Sequence, residues 1–252
     1  MGRGAAVYTV TVMSFLRPNP DIERWNRKYQ DTAGQGRGVG VRAEPELVAH
    51  ESMLSKRGLA VDLACGKGEN AMHLAAMGYE VVACDFALSG LVQCLPAIRK
   101  QELPVYPLLC DITRYPFLPH TFDLVCVVRY LERALFDQIK RWLKPGGMLF
   151  YKTFNRQFLS IHPGFNPAYV IEPGELNERF SDFEILASDW GGSEALCQTS
   201  PGISFILGRK PGLKIPVRAS ASSYRGGWRL SMRPPGWSGR CRLSPQQTAY
   251  DT

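Results

Sequence analysis

The chain has 252 residues and 45% hydrophobic content, enough for one sizeable core and too little length for several large domains. Its formal charge of +7 is concentrated at one end: nine of the 30 Lys+Arg and one of the 23 Asp+Glu fall in residues 209–252, which leaves 21 basic against 22 acidic residues before them and argues against nucleic acid as a ligand of the main body. No apolar run approaches the roughly 20 residues that cross a bilayer. The seven cysteines form no C-x-x-C pair and lie near no pair of histidines, which argues against a disulfide framework or a metal site and implies a reducing, cytoplasmic setting.

In chain order, residues 1–20 read as a disordered extension. The apolar run Ala5–Leu16 is short and interrupted by polar residues, a poor signal peptide, and Met13 is a plausible natural start. Asp21–Asp31 and Glu44–Lys56 are expected to be helices, joined by a glycine-rich stretch at 34–40 that suits a flexible connection. An alternation then sets in: strand Leu59–Ala64, helix Glu69–Met77, strand Tyr79–Cys84, helix Ala87–Gln101, strand Val105–Leu109, strand Phe122–Val128, helix Arg133–Leu143 and strand Met148–Phe154. The strands are nearly continuous apolar runs, as expected of a parallel sheet covered on both faces. Arg156–Tyr169 has no clear period and reads as a loop, Pro173–Phe180 as a helix, and Phe183–Trp190 and Ile203–Arg209 as the last strands. Residues 211–252, rich in Arg, Ser, Gly and Pro, carry too little apolar surface to offset the entropy of ordering and are expected to be disordered. Tyr224, Trp228 and Trp237 among arginines could stack on and grip RNA, although an adventitious extension explains them as well.

The chemistry-bearing segment is V-D-L-A-C-G-K-G-E-N-A-M-H-L-A, followed by Y-E-V-V-A-C-D. Gly66 and Gly68 allow a sharp turn and close approach of a ligand to bare backbone, and the helix beginning at Glu69 points its first amides into the same crevice. Asp85 ends the second strand, where acidic residues of doubly wound folds accept hydrogen bonds from ribose hydroxyls. Gly66–Ala71 also satisfies G-x-G-x-x-G/A, which alone would admit a nicotinamide or flavin dinucleotide. Asp62 argues against that reading, because a carboxylate near the loop repels a pyrophosphate and suits an amino group and a sulfonium.

The run D-L-A-C-G-K-G, with Asp85 downstream, resembles the first motif and second-strand acid of class I S-adenosylmethionine-dependent methyltransferases. Asp111-Ile112, Phe122–Val128 and Lys144–Leu149 are similar to three further motifs of that family in the same order, and W-N-R-K-Y, V-R-Y-L-E-R, Y-K-T-F and N-P-A-Y-V-I-E-P-G-E-L resemble its small bacterial tellurite-resistance-type members over roughly residues 21–210. The resemblance implies an α/β Rossmann-like sheet of seven strands in the order 3-2-1-4-5-7-6, mostly parallel with the last strand antiparallel, and helices on both faces. It implies S-adenosylmethionine as cofactor, held by Asp62, Ala64, Cys65, Gly66, Gly68, Asp85, Phe86, Asp111, Ile112 and Val128. Ala64 stands where many relatives have glycine, a change expected to have modest consequences. Asp62 could instead tie loop amides together, and Asp111 could begin a turn with Thr113.

Arg129 and Tyr130, directly after the fourth strand, are the candidate catalytic pair for orienting an acceptor; pairing of Arg129 with a carboxylate is the alternative. Trp25 and Tyr29, one turn apart on a helix face, and Tyr151 and Lys152 on the fifth strand are candidate substrate-binding residues, with Asn166 and Tyr169 as further wall residues. None of the four scattered histidines is singled out by spacing, His162 being the one nearest the expected site. The leading expectation is in-line methyl transfer to a small-molecule acceptor; NAD(P)-dependent oxidoreduction, or a silent cofactor-binding module with an RNA- or partner-binding tail, are the alternatives.

Overall fold

The computed structural model describes residues 9–12, 20–31, 43–55, 57–189 and 202–212. The chain divides into two units, 1–213 and 214–252, and every described residue falls in the first. The expectations of a disordered start and tail, and the tail aromatics, therefore lie almost wholly outside the described residues.

Eight strands form one sheet: β1 (Thr11–Val12), β2 (Gly58–Leu63), β3 (Tyr79–Asp85), β4 (Val105–Leu109), β5 (Phe122–Val128), β6 (Leu143–Phe154), β7 (Glu184–Asp189) and β8 (Ile203–Arg209). Their order is β1-β4-β3-β2-β5-β6-β8-β7. Strands β4, β3, β2, β5 and β6 are parallel, and β8 runs antiparallel to both β6 and β7. Without β1 this is the expected seven-stranded order. The additional strand is a two-residue parallel pairing, Thr11 with Leu108 and Val12 with Leu109, in a segment expected to be unstructured. It is too short to leave a periodic signal.

The helices are α1 (Pro20–Asp31), α2 (Pro45–Ala49), α3 (Glu69–Ala76), α4 (Leu88–Gln101), α5 (Phe136–Trp142), α6 (Gln157–Ile161) and α7 (Glu175–Arg179). None is long and apolar enough to cross a membrane. Three expectations are corrected. The helix foreseen over 44–56 stops at Ala49 and continues as a single 3-10 turn, Glu51–Met53. The helix foreseen over 173–180 starts only at Glu175, after Gly174 at φ 85°. The loop foreseen over 156–169 contains α6 and a 3-10 turn, Pro167–Tyr169, entered through side-chain caps: Asn155 accepts from the Gln157 amide and Asn166 from the Ala168 amide. Such caps act locally and need no hydrophobic period.

Strand alternation builds a core on each face of the sheet. On β5, Val125 and Val127 pack with Trp142, Leu149, Phe180 and Ile206, whereas Leu124 and Cys126 pack with Leu74, Ile98, Phe150 and Leu207. Both faces are therefore dry, which accounts for the unbroken apolar runs. At the bottom of the sheet Asp123 ties β2, β5 and the turn into β6: its carboxylate accepts from the Leu59 amide at 2.8 Å and from Lys144 Nζ at 2.8 Å.

Gly58 makes this tie sterically possible. Its φ is 124°, and a Cβ there would lie 2.4 Å from the Asp123 carboxylate. Gly58→Ala should therefore lower unfolding free energy by about 2 kcal/mol, through backbone strain and loss of the Asp123 contacts. Urea titration of the purified variant checks this; a midpoint within error of the parent would show that the tie is dispensable.

Candidate functional site

The parallel strands β2, β3 and β5 end at one edge of the sheet, and a cavity of about 1800 Å³ opens beyond them. Single small-ligand sites usually occupy about 300–1,000 Å³, so this space has room for two ligands side by side. One half is bounded by the loop 64–67, Glu69, Asn70, Asp85 and Phe86. The other is bounded by α1, the post-β5 residues Arg129 to Leu131, and Phe154, Phe165 and Tyr169.

Two carboxylates organise the first half. Asp85, 4% exposed, accepts from the Gly66 amide through Oδ2 at 2.7 Å and from the Ala87 amide through Oδ1 at 2.8 Å, and it lines the cavity. Asp62, 1% exposed, lies behind the loop and accepts from the Ala71 amide in the first turn of α3 at 3.1 Å. Within the turn Cys65 donates to Cys84 O and Gly68 to Cys65 O, and Met72 in α3 donates to Gly68 O. The loop thus has the glycine pattern of a phosphate cradle, yet its Gly66, Gly68 and Ala71 amides are committed within the protein. Burial pushes the Asp85 carboxyl up, and burial with the nearby Asp85 charge pushes Asp62 up to about 7. A second anion beside them would be repelled; hydroxyl donors or a cation would be attracted.

The loop geometry adds a backbone cost at Ala64 to the modest effect expected on ligand approach. Ala64 has φ 54°, the left-handed region that glycine adopts without cost and alanine does not. The substitution is therefore a source of strain at the first residue after β2. Gly66 is required by close approach: a Cβ there would come within 2.7 Å of the Tyr29 hydroxyl. Gly68, at φ 70°, caps α3 and faces Cys94, beneath the loop.

Helix α1 supplies the cover. Asn26 accepts from the Ser89 amide at 2.8 Å, Gln30 donates to Ser89 Oγ at 3.1 Å, and Gln93 donates to the Tyr29 carbonyl at 2.9 Å, which docks α1 on α4. Trp25 and Tyr29 then face the cavity with ring centroids 5.7 Å apart. Both readings of this pair, docking and pocket cover, apply together. Burial, followed by the Asp85 charge, raises the Tyr29 hydroxyl pKa.

Of the residues singled out in the sequence, Trp25, Tyr29, Ala64, Cys65, Gly66, Asp85, Phe86, Val128, Arg129 and Tyr130 line the cavity. Asp62 and Gly68 lie behind it, supporting the loop. Asp111 is spent on a turn, its Oδ1 accepting from the Thr113 amide at 3.0 Å and the Thr113 hydroxyl at 2.6 Å, and Ile112 is core. Tyr151 is buried with its hydroxyl on the Tyr130 carbonyl at 3.0 Å, so it positions Tyr130 and does not form a wall. Lys152, 3% exposed, is withdrawn into a buried ion-pair cluster: Nζ contacts Glu44 Oε1 at 2.5 Å and also Glu46. Arg129 reaches the other oxygen of Glu44 at 3.3 Å, so the carboxylate it pairs with comes from the start of α2. His162 stacks on Phe158 away from the cavity.

Glu44 and Asn70 went unnoticed in the sequence. Asn70 accepts from the Glu44 amide at 2.8 Å, joining the two sides of the pocket across 26 residues. No local pattern announces such a contact. Among the described residues, no group of three or more His, Cys, Asp or Glu is arranged to hold a metal ion.

Residues 60–147 match the protein family described as Methyltransferase domain. A Bacillus subtilis protein that carries a methyltransferase name, YqeM, is 26% identical over 155 residues, covering 58% of this chain and 59% of that one. The demethylmenaquinone methyltransferase of Renibacterium salmoninarum is 32% identical over 114 residues, 42% of this chain and 43% of that one. The chain thus spans less than two thirds of the curated relatives it matches. Among solved structures, TehB from Haemophilus influenzae superposes with a TM-score of 0.56 at 18% identity, over 73% of this chain and 67% of that one. The [4+2]-cyclase SpnF superposes equally well, TM-score 0.56 at 16% identity, over 76% and 94%. These similarities establish the fold.

Two outcomes are expected of the loop. Ala64→Gly relieves the left-handed strain and should raise unfolding free energy by about 1 kcal/mol, read as a higher denaturation midpoint. Asp62 has a folded pKa above its unfolded value of 3.8, so the folded protein holds the extra proton between about pH 4 and 7, and stability falls as pH rises through that window. Asp62→Asn removes this loss; its stability relative to the parent should climb from pH 4 to 7 and then level, and a pH-independent difference would show that Asp62 stays ionised throughout.

Proposed function

We propose that the class I S-adenosylmethionine-dependent methyltransferase domain carried by this chain transfers a methyl group in line to a small-molecule acceptor. The observation that carries the proposal is the internal commitment of the loop amides. Asp62 and Asp85 occupy the Ala71 and Gly66 amides that a pyrophosphate would need, and both carboxyls are disfavoured as neighbours of another anion. The dinucleotide alternative, which rested on the glycine pattern alone, finds no support in the comparisons.

The residues fit a nucleoside bearing a positive charge. Asp85 is a buried acceptor at the cavity wall, its carboxylate steadied by the Gly66, Ala87 and Phe86 amides, and its remaining acceptor capacity suits a ligand hydroxyl. Phe86 and Gly66 line the cavity beside it, and the Tyr29 hydroxyl closes over Gly66. When bound, S-adenosylmethionine supplies a methyl group on a sulfonium sulfur, already a good leaving group. The protein's task is then to hold the acceptor in line and exclude water, which is worth about 7–11 kcal/mol in well-oriented systems. Tyr130, held through its carbonyl by Tyr151, and Arg129, held by Glu44, are placed to orient an acceptor; Trp25 and Tyr29 cover it.

A small acceptor is supported by the room in the second half of the cavity and by relatives named for demethylmenaquinone and ubiquinone biosynthesis. The five described cysteines are all free thiols, which suits a cytoplasmic enzyme. Calorimetry on the full chain tests the reading: S-adenosylmethionine and S-adenosylhomocysteine should bind and NAD should not. Asp85→Asn, which keeps the shape but loses one acceptor oxygen, should weaken both by at least tenfold, about 1.4 kcal/mol. Binding of NAD in preference, or unchanged affinity in a folded variant, overturns the assignment.

A further inference from the structure

The second half of the cavity, which the cofactor reading leaves for the acceptor, has an unusual wall. Trp25 projects from α1 with Lys28 Nζ 4.1 Å from its ring centroid and the Arg24 guanidinium 5.9 Å from it. Arg129 lines the same space from the end of β5. Three cations from two elements thus converge on one aromatic-walled volume, completed by Tyr130, Phe165 and Tyr169.

The nearby acidic groups are shared. Asp21 pairs with Arg24 at 3.1 Å and lies 3.4 Å from the Tyr169 hydroxyl, and Glu44 is divided between Lys152 and Arg129. Burial, and then the charges of Arg24 and Arg129, lower the Lys28 pKa, so the ammonium is held in a field that opposes it. Arg24 and Arg129 each keep guanidinium N–H groups beyond those spent on one carboxylate, so with the Lys28 ammonium they can donate to an anionic group that enters between them. The walls add a shape requirement, because Trp25, Tyr130, Phe165 and Tyr169 favour a flat ring.

We propose that the acceptor is a planar aromatic anion, its ring against the aromatic wall and its negative group among Arg24, Lys28 and Arg129. This rests on the methyltransferase reading and specifies the acceptor's negative charge, which neither the fold nor the relatives' names supply. Lys28 and Arg24 become specificity residues: they select the charged acceptor over its neutral isostere.

The test is calorimetric, on the full chain saturated with S-adenosylhomocysteine. Aromatic carboxylates are compared with their own amides: 4-hydroxybenzoate with 4-hydroxybenzamide, salicylate with salicylamide, 1-naphthoate with 1-naphthamide. At least one carboxylate is expected to bind tenfold or more tighter than its amide. Lys28→Met should erase that preference while S-adenosylhomocysteine affinity stays within twofold, and Lys28→Arg should retain most of it. If no pair shows a preference although S-adenosylhomocysteine binds, the acceptor class is wrong and the cofactor reading stands. If Lys28→Met weakens S-adenosylhomocysteine as much as the carboxylate, Lys28 belongs to the cofactor half and the proposal is overturned. If S-adenosylhomocysteine does not bind at all, both readings fall.

Discussion

The site depends on two carboxylates buried at the ends of adjacent parallel strands. Asp62 and Asp85 lie where β2 and β3 leave the sheet, and between them they accept from the Gly66, Ala71 and Ala87 amides, which would otherwise be unpaired. This fixes the turn 64–68, seats α3 and leaves one acidic wall facing the cavity. The cost is two carboxyls forced together in a poorly solvated place, visible in their raised pKa values. A cationic ligand would relieve that cost, whereas a phosphate would deepen it.

A second buried charge cluster sets the opposite side. Lys152 sits between Glu44 and Glu46 deep against β6, and Glu44 passes the constraint to Arg129. Removing Lys152 would strand two carboxylates in the interior, which typically costs several kcal/mol. The cluster therefore acts as a fastening between the segment before β2 and the far strand of the parallel sheet, and it fixes where Arg129 can point. Asn70, through the Glu44 amide, couples the same segment to α3. Loop and acceptor wall are joined by hydrogen bonds that run outside the sheet.

The sheet was legible because its signal is periodic and collective. The apolar runs of β2 to β6, the glycine turn and the acid that ends β3 each occupy a contiguous stretch, and their resemblance to the methyltransferase motifs implied the strand order. What escaped was short or non-local. Two residues of β1 carry no period, and the caps at Asn155 and Asn166 act over three residues. At Lys152 the sequence indicates a strand-end cation facing a site, but its partners are more than 100 residues away and turn it from wall to tether. Tyr151 was placed on the correct strand and the wrong side, since its hydroxyl satisfies the Tyr130 carbonyl from within the core. Asp111 resolved to the local alternative, a turn with Thr113, because a neighbouring hydroxyl two residues away is an easy partner.

Helix α1 has no fully buried side chain, although it roofs half of the cavity. Three side-chain hydrogen bonds hold it to α4, each worth about 1 kcal/mol net. Raising it would uncover no core, so ingress and egress of ligands need not involve melting any part of the sheet. Access to the cavity is thereby energetically separated from the core of the sheet, and substitutions along 20–31 that spare Asn26, Tyr29 and Gln30 leave the docking hydrogen bonds in place.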